Sequence, residues 1–143
     1  MRSNREWRDG DLLVTTDPAR VDVELTTSFL ANDSYWAEGR TREGEETAIA
    51  NSRCYTILRD GVQVGGARAV TDDAFFAWIA DVFVVPDERG HGLGKFLMRC
   101  ITDDLAHVER LFLGTRDAHG LYAQFGFATP PRQERWMERL RPS

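Results

Sequence analysis

Between Val82 and Lys95 the chain reads V-F-V-V-P-D-E-R-G-H-G-L-G-K, an apolar run that enters a glycine loop and opens directly onto residues with helical spacing. The first turn of a helix has backbone N–H groups without intrahelical partners and carries the positive end of the helix dipole, so it can hold phosphate oxygens. Gly90, Gly92 and Gly94 let the main chain approach such a ligand, and Arg89 and Lys95 add positive charge. A P-loop ending on Gly94-Lys95 would need glycine at position 89 and a hydroxyl residue after the lysine, but the chain has Arg89 and Phe96. The dinucleotide fingerprint G-x-G-x-x-G fails too, because the spacing here is G-x-G-x-G. The other reading of this loop is an ordinary glycine-rich turn between a strand and a helix.

A second cluster, Thr115-Arg116-Asp117-Ala118-His119-Gly120-Leu121-Tyr122-Ala123-Gln124-Phe125-Gly126-Phe127, puts a tyrosine on a short helical segment that ends in Gly-Phe. Taken together, the two pieces resemble the GNAT superfamily of acyl-CoA-dependent N-acyltransferases. Its signature is Val-x-Pro, then x-x-Arg-Gly-x-Gly-x-Gly, then Ala-x-x-Leu-Tyr-x-x-x-Gly-Phe. The chain matches it in order at Pro86, Arg89 to Gly94, Ala118, Leu121-Tyr122 and Gly126-Phe127. Thr115 stands where many members carry asparagine.

The resemblance implies an enzyme that moves an acetyl group from acetyl-CoA to an amine by direct attack, without a metal. It places the pyrophosphate of coenzyme A on the loop Arg89, Gly90, His91, Gly92, Leu93, Gly94 and Lys95, with Ala118 nearby, and pairs the pantetheine arm with main-chain groups near Phe83 and Val84. It makes Tyr122 the acid that protonates the departing thiolate, a task a phenol can perform. A buried aromatic of purely packing function is the other reading of Tyr122. Asp81 interrupts an apolar strand beside the implied thioester and is a candidate base or ammonium anchor; burial there should raise its pKa. Pairing with Arg68 is the competing role. His119, one turn before Tyr122, could line the site or be structural. Tyr35 and Trp36 could wall the acceptor or simply pack. A small-molecule amine, a peptide amine and a non-catalytic acyl-CoA-binding module are the functional alternatives. A closed pocket would favour the first and a groove open at both ends the second.

These residues need elements to hold them. Asp11 to Thr16 reads as a first strand, and Asp17-Pro18 as a helix start that carries the stripe Val21, Leu25 and Phe29. After a polar break from Asn32 to Arg42, Glu43 to Asn51 suggests a shorter helix. Arg53 to Arg59 and Val62 to Val70 are strands joined at Asp60-Gly61, a strong hairpin signal. Ala74 to Val85 is a long strand ended by Pro86. Leu93, Phe96, Leu97, Cys100, Ile101 and Leu105 have helical spacing. Leu111 to Leu113 predicts a strand, Asp117 to Gln124 a helix, and Arg135 to Leu140 a last strand. The expected fold is α/β of α+β type: a mixed, mostly antiparallel sheet of six or seven strands flanked by about four helices.

The chain has 143 residues, 42% apolar and 29% charged, which suits a single globular domain over residues 1–143 with no linker or repeat. A net charge of -5 speaks against a nucleic-acid surface, and no apolar run is long enough to span a membrane. The charged N-terminal stretch has no signal-peptide pattern, and Cys54 and Cys100 lack metal-ligand spacing, so a reducing cytoplasmic setting is expected. A homodimer is a family-level expectation.

Overall fold

A computed structural model describes residues 2–142. Strands β1 (Glu6–Asp9), β2 (Leu12–Thr15), β3 (Arg53–Arg59), β4 (Val62–Thr71), β5 (Phe76–Val84) and β6 (Arg110–Leu113) form one sheet in sequential order. All neighbours are antiparallel except β5 and β6, which are parallel. Helices α1 (Val23–Asp33) and α2 (Arg42–Ala50) follow β2, α3 (Leu93–Asp104) connects β5 to β6, and α4 (His119–Ala123) follows β6. The expected mixed fold is present, and no helix among the described residues is long and apolar enough to cross a membrane.

Two apolar clusters lie on opposite faces of the sheet. Leu93, Phe96, Leu97, Cys100 and Ile101 of α3 pack with Val14, Tyr55, Ile57, Ala77 and Ile79. Phe29 and Leu30 of α1 pack with Ala37 and Phe83, and Phe29 stacks on Phe83 at 4.6 Å between centroids. Helical and strand periods thus sort the apolar residues to the two faces as expected.

The interruption comes in β5. Ala77 and Ile79 face α3, so strict alternation would turn Asp81 into the same apolar layer. The β4–β5 register instead shifts between Gly66 and Arg68, and Asp81 takes a left-handed φ of 58°. A bulge of this kind reverses the faces beyond it. Val82 and Val84 therefore continue the α3 side, while Asp81 and Phe83 turn toward α1 and the α1–α2 loop. Gly65 permits this crowding, because a Cβ there would meet the Phe83 carbonyl oxygen at 2.5 Å.

Three sequence expectations are corrected. β1 pairs with β2 although the sequence pattern gave no strand there; it is a short, polar edge strand whose hairpin turns at Gly10 with φ 61°. Asp17-Pro18 begins only a short 3-10 turn, Pro18–Arg20, and Asp22 caps α1 through Leu25 N–H at 3.0 Å. Helix α1 thus buries Thr26, Phe29 and Leu30, and Val21 precedes it. The expected strand from Arg135 to Leu140 does not form: a 3-10 turn occupies Gln133–Arg135, and Met137 and Leu140 beyond it are exposed.

Candidate active site

β6 pairs with β5 only from Phe76 to Ile79, where Leu113 is its last partner, while β5 continues to Val84. From Ala80 onward the flank of β5 is therefore open and offers main-chain donors and acceptors to an extended ligand. Val85-Pro86 then leads through a 3-10 turn, Pro86–Glu88, into the glycine loop. Gly90 and Gly92 hold φ of 80° and 81°, conformations that glycine adopts without penalty. Gly92 is the N-cap of α3 and supplies no capping side chain, so the first-turn N–H groups of Leu93, Gly94 and Lys95 have no helix partners. Lys95 and His91 are exposed beside them, and Arg89 folds back to donate from Nε to the Val84 carbonyl at 3.1 Å. The open flank of β5 is thus followed directly by a positively polarised helix end.

Phe83 enters differently from the sequence expectation. Its carbonyl points to Gly65 of β4, and its ring is buried against Phe29. Main-chain alternation gives the open flank to Val84 and, equally, to Val82, which the sequence reading did not single out.

Tyr122 lies on α4, half-buried, with Phe127 edge-on at 6.2 Å. Burial first, and the neighbouring Tyr35 and Asp117 after it, push its phenol above the ordinary value, so it is protonated at neutral pH. Ala118 is the N-cap of α4 and donates its N–H to Thr115 Oγ1 at 3.0 Å, so Thr115 has a structural task at the turn. His119 is exposed at the start of α4.

Tyr35 and Trp36 reach across to other elements. Tyr35 Oη accepts from the Arg116 N–H at 3.0 Å, and the Arg116 guanidinium lies 3.8 Å over its ring. Trp36 Nε1 donates to Asp81 Oδ1 at 3.1 Å, and the two rings meet edge to face. The α1–α2 loop is thereby fastened to β5 on one side and to the segment after β6 on the other.

Asp81 is 7% exposed and fully engaged. Its Oδ2 accepts from Arg40 Nη1 at 2.7 Å and from Arg68 Nε at 2.6 Å, while Trp36 holds Oδ1. Burial alone would raise its pKa, as the sequence suggested. The hydrogen bonds from Arg40 and Arg68 outweigh that effect, and the pKa is lowered. Arg40 and a buried carboxylate, Glu45 of α2, complete the cluster. Neither was foreseen: helix α2 reads R-E-G-E-E-T-A-I-A, and nothing in it marks which carboxylate turns inward.

An open strand flank, an uncapped glycine-rich helix start and a protonated phenol on α4 follow one another from β5 to α4. The model of the acetyltransferase (GNAT) family matches residues 23–127, and the chain belongs to that family of acyl-CoA N-acetyltransferases. A GNAT-family protein of Xanthomonas campestris pv. campestris shares 40% identity, with a TM-score of 0.87 over 92% of this chain and 94% of that one. A Gibberella zeae protein that is an acetyltransferase by name is 27% identical over 142 residues, covering 84% of this chain and 80% of its own. An acetyltransferase of Clostridium acetobutylicum, so predicted by its name and solved with acetyl-CoA, shares 14% identity and a TM-score of 0.64 over 96% of this chain and 95% of that one, a likeness of fold alone.

Proposed function

We propose that the chain transfers the acetyl group of acetyl-CoA to the primary amine of a small molecule by direct attack within a ternary complex. The observation that carries this reading is the open flank of β5 beyond its pairing with β6. The pyrophosphate rests on the loop from Arg89 to Lys95, and the pantetheine arm lies along Val82 and Val84. That brings the thioester to the bulge at Asp81, below the Tyr35–Trp36 cover. Tyr122 donates its proton to the departing thiolate. Asp81 serves as a positioning residue that fixes Arg40, Arg68 and Trp36.

The preference for a small acceptor rests on the cover and on a hollow of about 390 Å³ beside α2, lined by Arg40, Thr41, Glu45 and Arg68 among others. That size suits a small-molecule site. A peptide would need a groove open at both ends, whereas Tyr35 and Trp36 bridge this site. The reading extends to the chain acting as one catalytic unit in the cytoplasm. Burial keeps both thiols protonated, with Cys54 pushed up to about 11 and Cys100 to about 12. An exposed apolar set at the β6 edge, including Phe75, Phe76 and Trp136, supports pairing of two copies.

The test is a comparison of melting temperatures with acetyl-CoA, coenzyme A, NAD and ATP. It is followed by coenzyme A release over a panel of primary amines and lysine peptides. Stabilisation by the coenzyme A species and release with small amines are expected. Equal shifts from all the nucleotides would defeat the assignment.

A further inference from the structure

Charged side chains from the α1–α2 loop, α2, β4 and β5 meet beneath the aromatic cover, and one of their oxygens has no hydrogen-bond partner. Glu45 is 1% exposed, and its Oε2 receives no hydrogen bond. Arg40 Nη1 stands 3.6 Å away, within ion-pair range but beyond a hydrogen bond. A buried carboxylate oxygen left this way costs free energy that a purely structural residue has no reason to incur. Its position is also particular. Glu45 lines two adjoining hollows, one shared with Gly66, Asp81 and Phe83 at the bulge, the other opening outward between Gly39, Ala48 and Arg141. It stands where an acceptor entering beside α2 would come toward the thioester.

We propose that Glu45 is the acceptor-side carboxylate, whose Oε2 binds the ammonium group of the incoming amine and removes a proton from it. The proposal rests on the acetyl-transfer reading above and names the residue that prepares the nucleophile. Glu45 accepts one proton from the ammonium ion, and the freed lone pair on nitrogen forms the new C–N bond at the thioester carbonyl. The C–S bond then breaks, and its electron pair leaves on the coenzyme A sulfur. Tyr122 protonates that sulfur, and the second proton lost from nitrogen restores the phenol. The proton on Glu45 returns to solvent, leaving the acetamide and free coenzyme A.

The surroundings divide the two carboxylates. Asp81 is held ionised by the arginines that hydrogen-bond to it. Glu45 has its pKa raised, chiefly by burial and then by the Asp81 charge, with Arg40 and Arg68 acting in opposition. Cys54 and Tyr55 on β3 and Arg141 in the C-terminal segment are the other ionisable residues at these hollows, and the Tyr55 hydroxyl is taken up by Asp104 at 2.6 Å. One carboxylate pushed down and a neighbour pushed up is how a site separates a fixed charge from a working base.

Two simple nucleophiles test the role whatever the natural acceptor is. Ethylamine is an ammonium ion near neutrality and must lose a proton before attack, whereas methoxyamine is already neutral. Glu45→Gln is expected to lower ethylamine acetylation by about 10²-fold or more and to remove the pH dependence contributed by the carboxylate. Methoxyamine acetylation should stay within a few-fold of wild type. Glu45→Asp, which keeps a carboxylate, should restore part of the ethylamine rate. Acetyl-CoA should raise the melting temperature of wild type and variants alike, showing that each is folded with its donor site intact. If acetyl-CoA stabilises both proteins and Glu45→Gln slows the two amines equally, or slows neither, Glu45 is not the base. If acetyl-CoA fails to stabilise even the wild type, the acetyl-transfer reading itself is lost.

Discussion

A phenol can donate to a thiolate only while it holds its proton, and the half-buried setting of Tyr122 keeps it there at working pH. Tyr122→Phe is expected to leave acetyl-CoA affinity unchanged and lower kcat by about 10²–10⁴-fold, as steady-state kinetics at saturating donor would show. The two carboxylates should respond oppositely in stability. Asp81 has a lowered folded pKa, so its contribution is present above the unfolded carboxylate pKa and is lost as pH falls through the folded value. Glu45 has a raised one, so its contribution is full below the unfolded pKa and is lost as pH rises through the folded value. In melting curves at neutral pH, Asp81→Asn should therefore melt earlier, while Glu45→Gln should match or exceed wild type. The sequence showed Asp81 because a carboxylate stands out in an apolar strand. It hid Glu45, which is one acid among several on a helix with a polar majority.

At the scale of elements, the glycine loop was readable because the role proposed for it depends on main chain, and glycine spacing reports main-chain shape directly. Gly92→Asp would put a carboxylate at an N-cap that now leaves the first-turn N–H groups free, blocking them and repelling phosphate. The coenzyme A-induced rise in melting temperature should disappear, while the unliganded protein melts somewhat earlier than wild type, because a non-glycine residue is then held at φ 81°. The β5 bulge was not readable, since its cause is split between strands: an aspartate with positive φ on β5 and the close approach of β4 at Gly65. Gly65→Ala would press a methyl group against the Phe83 carbonyl, and urea unfolding should show a loss of about 1–3 kcal/mol. The strand expected over Arg135 to Leu140 is a different case. β6 is the edge strand of the sheet, and Trp136 meets its Phe112 at 4.7 Å, yet the segment contributes no strand to that edge, and nothing in the structure explains why. The β1 strand is the converse case, because pairing with β2 overrides a polar sequence.

Across the whole molecule, a third buried carboxylate stands apart from Asp81 and Glu45. Asp104, at the end of α3, is 1% exposed and lies on the face of the sheet opposite the acceptor cluster. It accepts hydrogen bonds from Arg2 and Tyr55 at 2.7 and 2.6 Å, and from Arg53 on β3, while Arg5 approaches at 3.3 Å. One carboxylate thus ties the residues before β1, strand β3 and the C-terminal end of α3 together, a link between distant parts of the chain that no local pattern announces. Burial pushes its pKa upward, but hydrogen bonds from Arg53 and Tyr55, with the nearby arginine charges, bring it below the ordinary value. The sign follows: Asp104 stabilises the fold above the unfolded carboxylate pKa, and that contribution drains away as pH falls through the lower folded value. Acid should therefore weaken the wild type by protonating a carboxylate that several donors require. Asp104→Ala would leave Arg53 and Tyr55 without their acceptor, which for a buried charged network costs about 3–5 kcal/mol. Urea midpoints measured from pH 7 down to pH 3 should fall steeply for wild type. For Asp104→Ala they should start lower and decline less, because the group responsible for part of the slope is gone. Parallel curves for the two proteins would show that the acid sensitivity resides in Asp81 and other carboxylates instead.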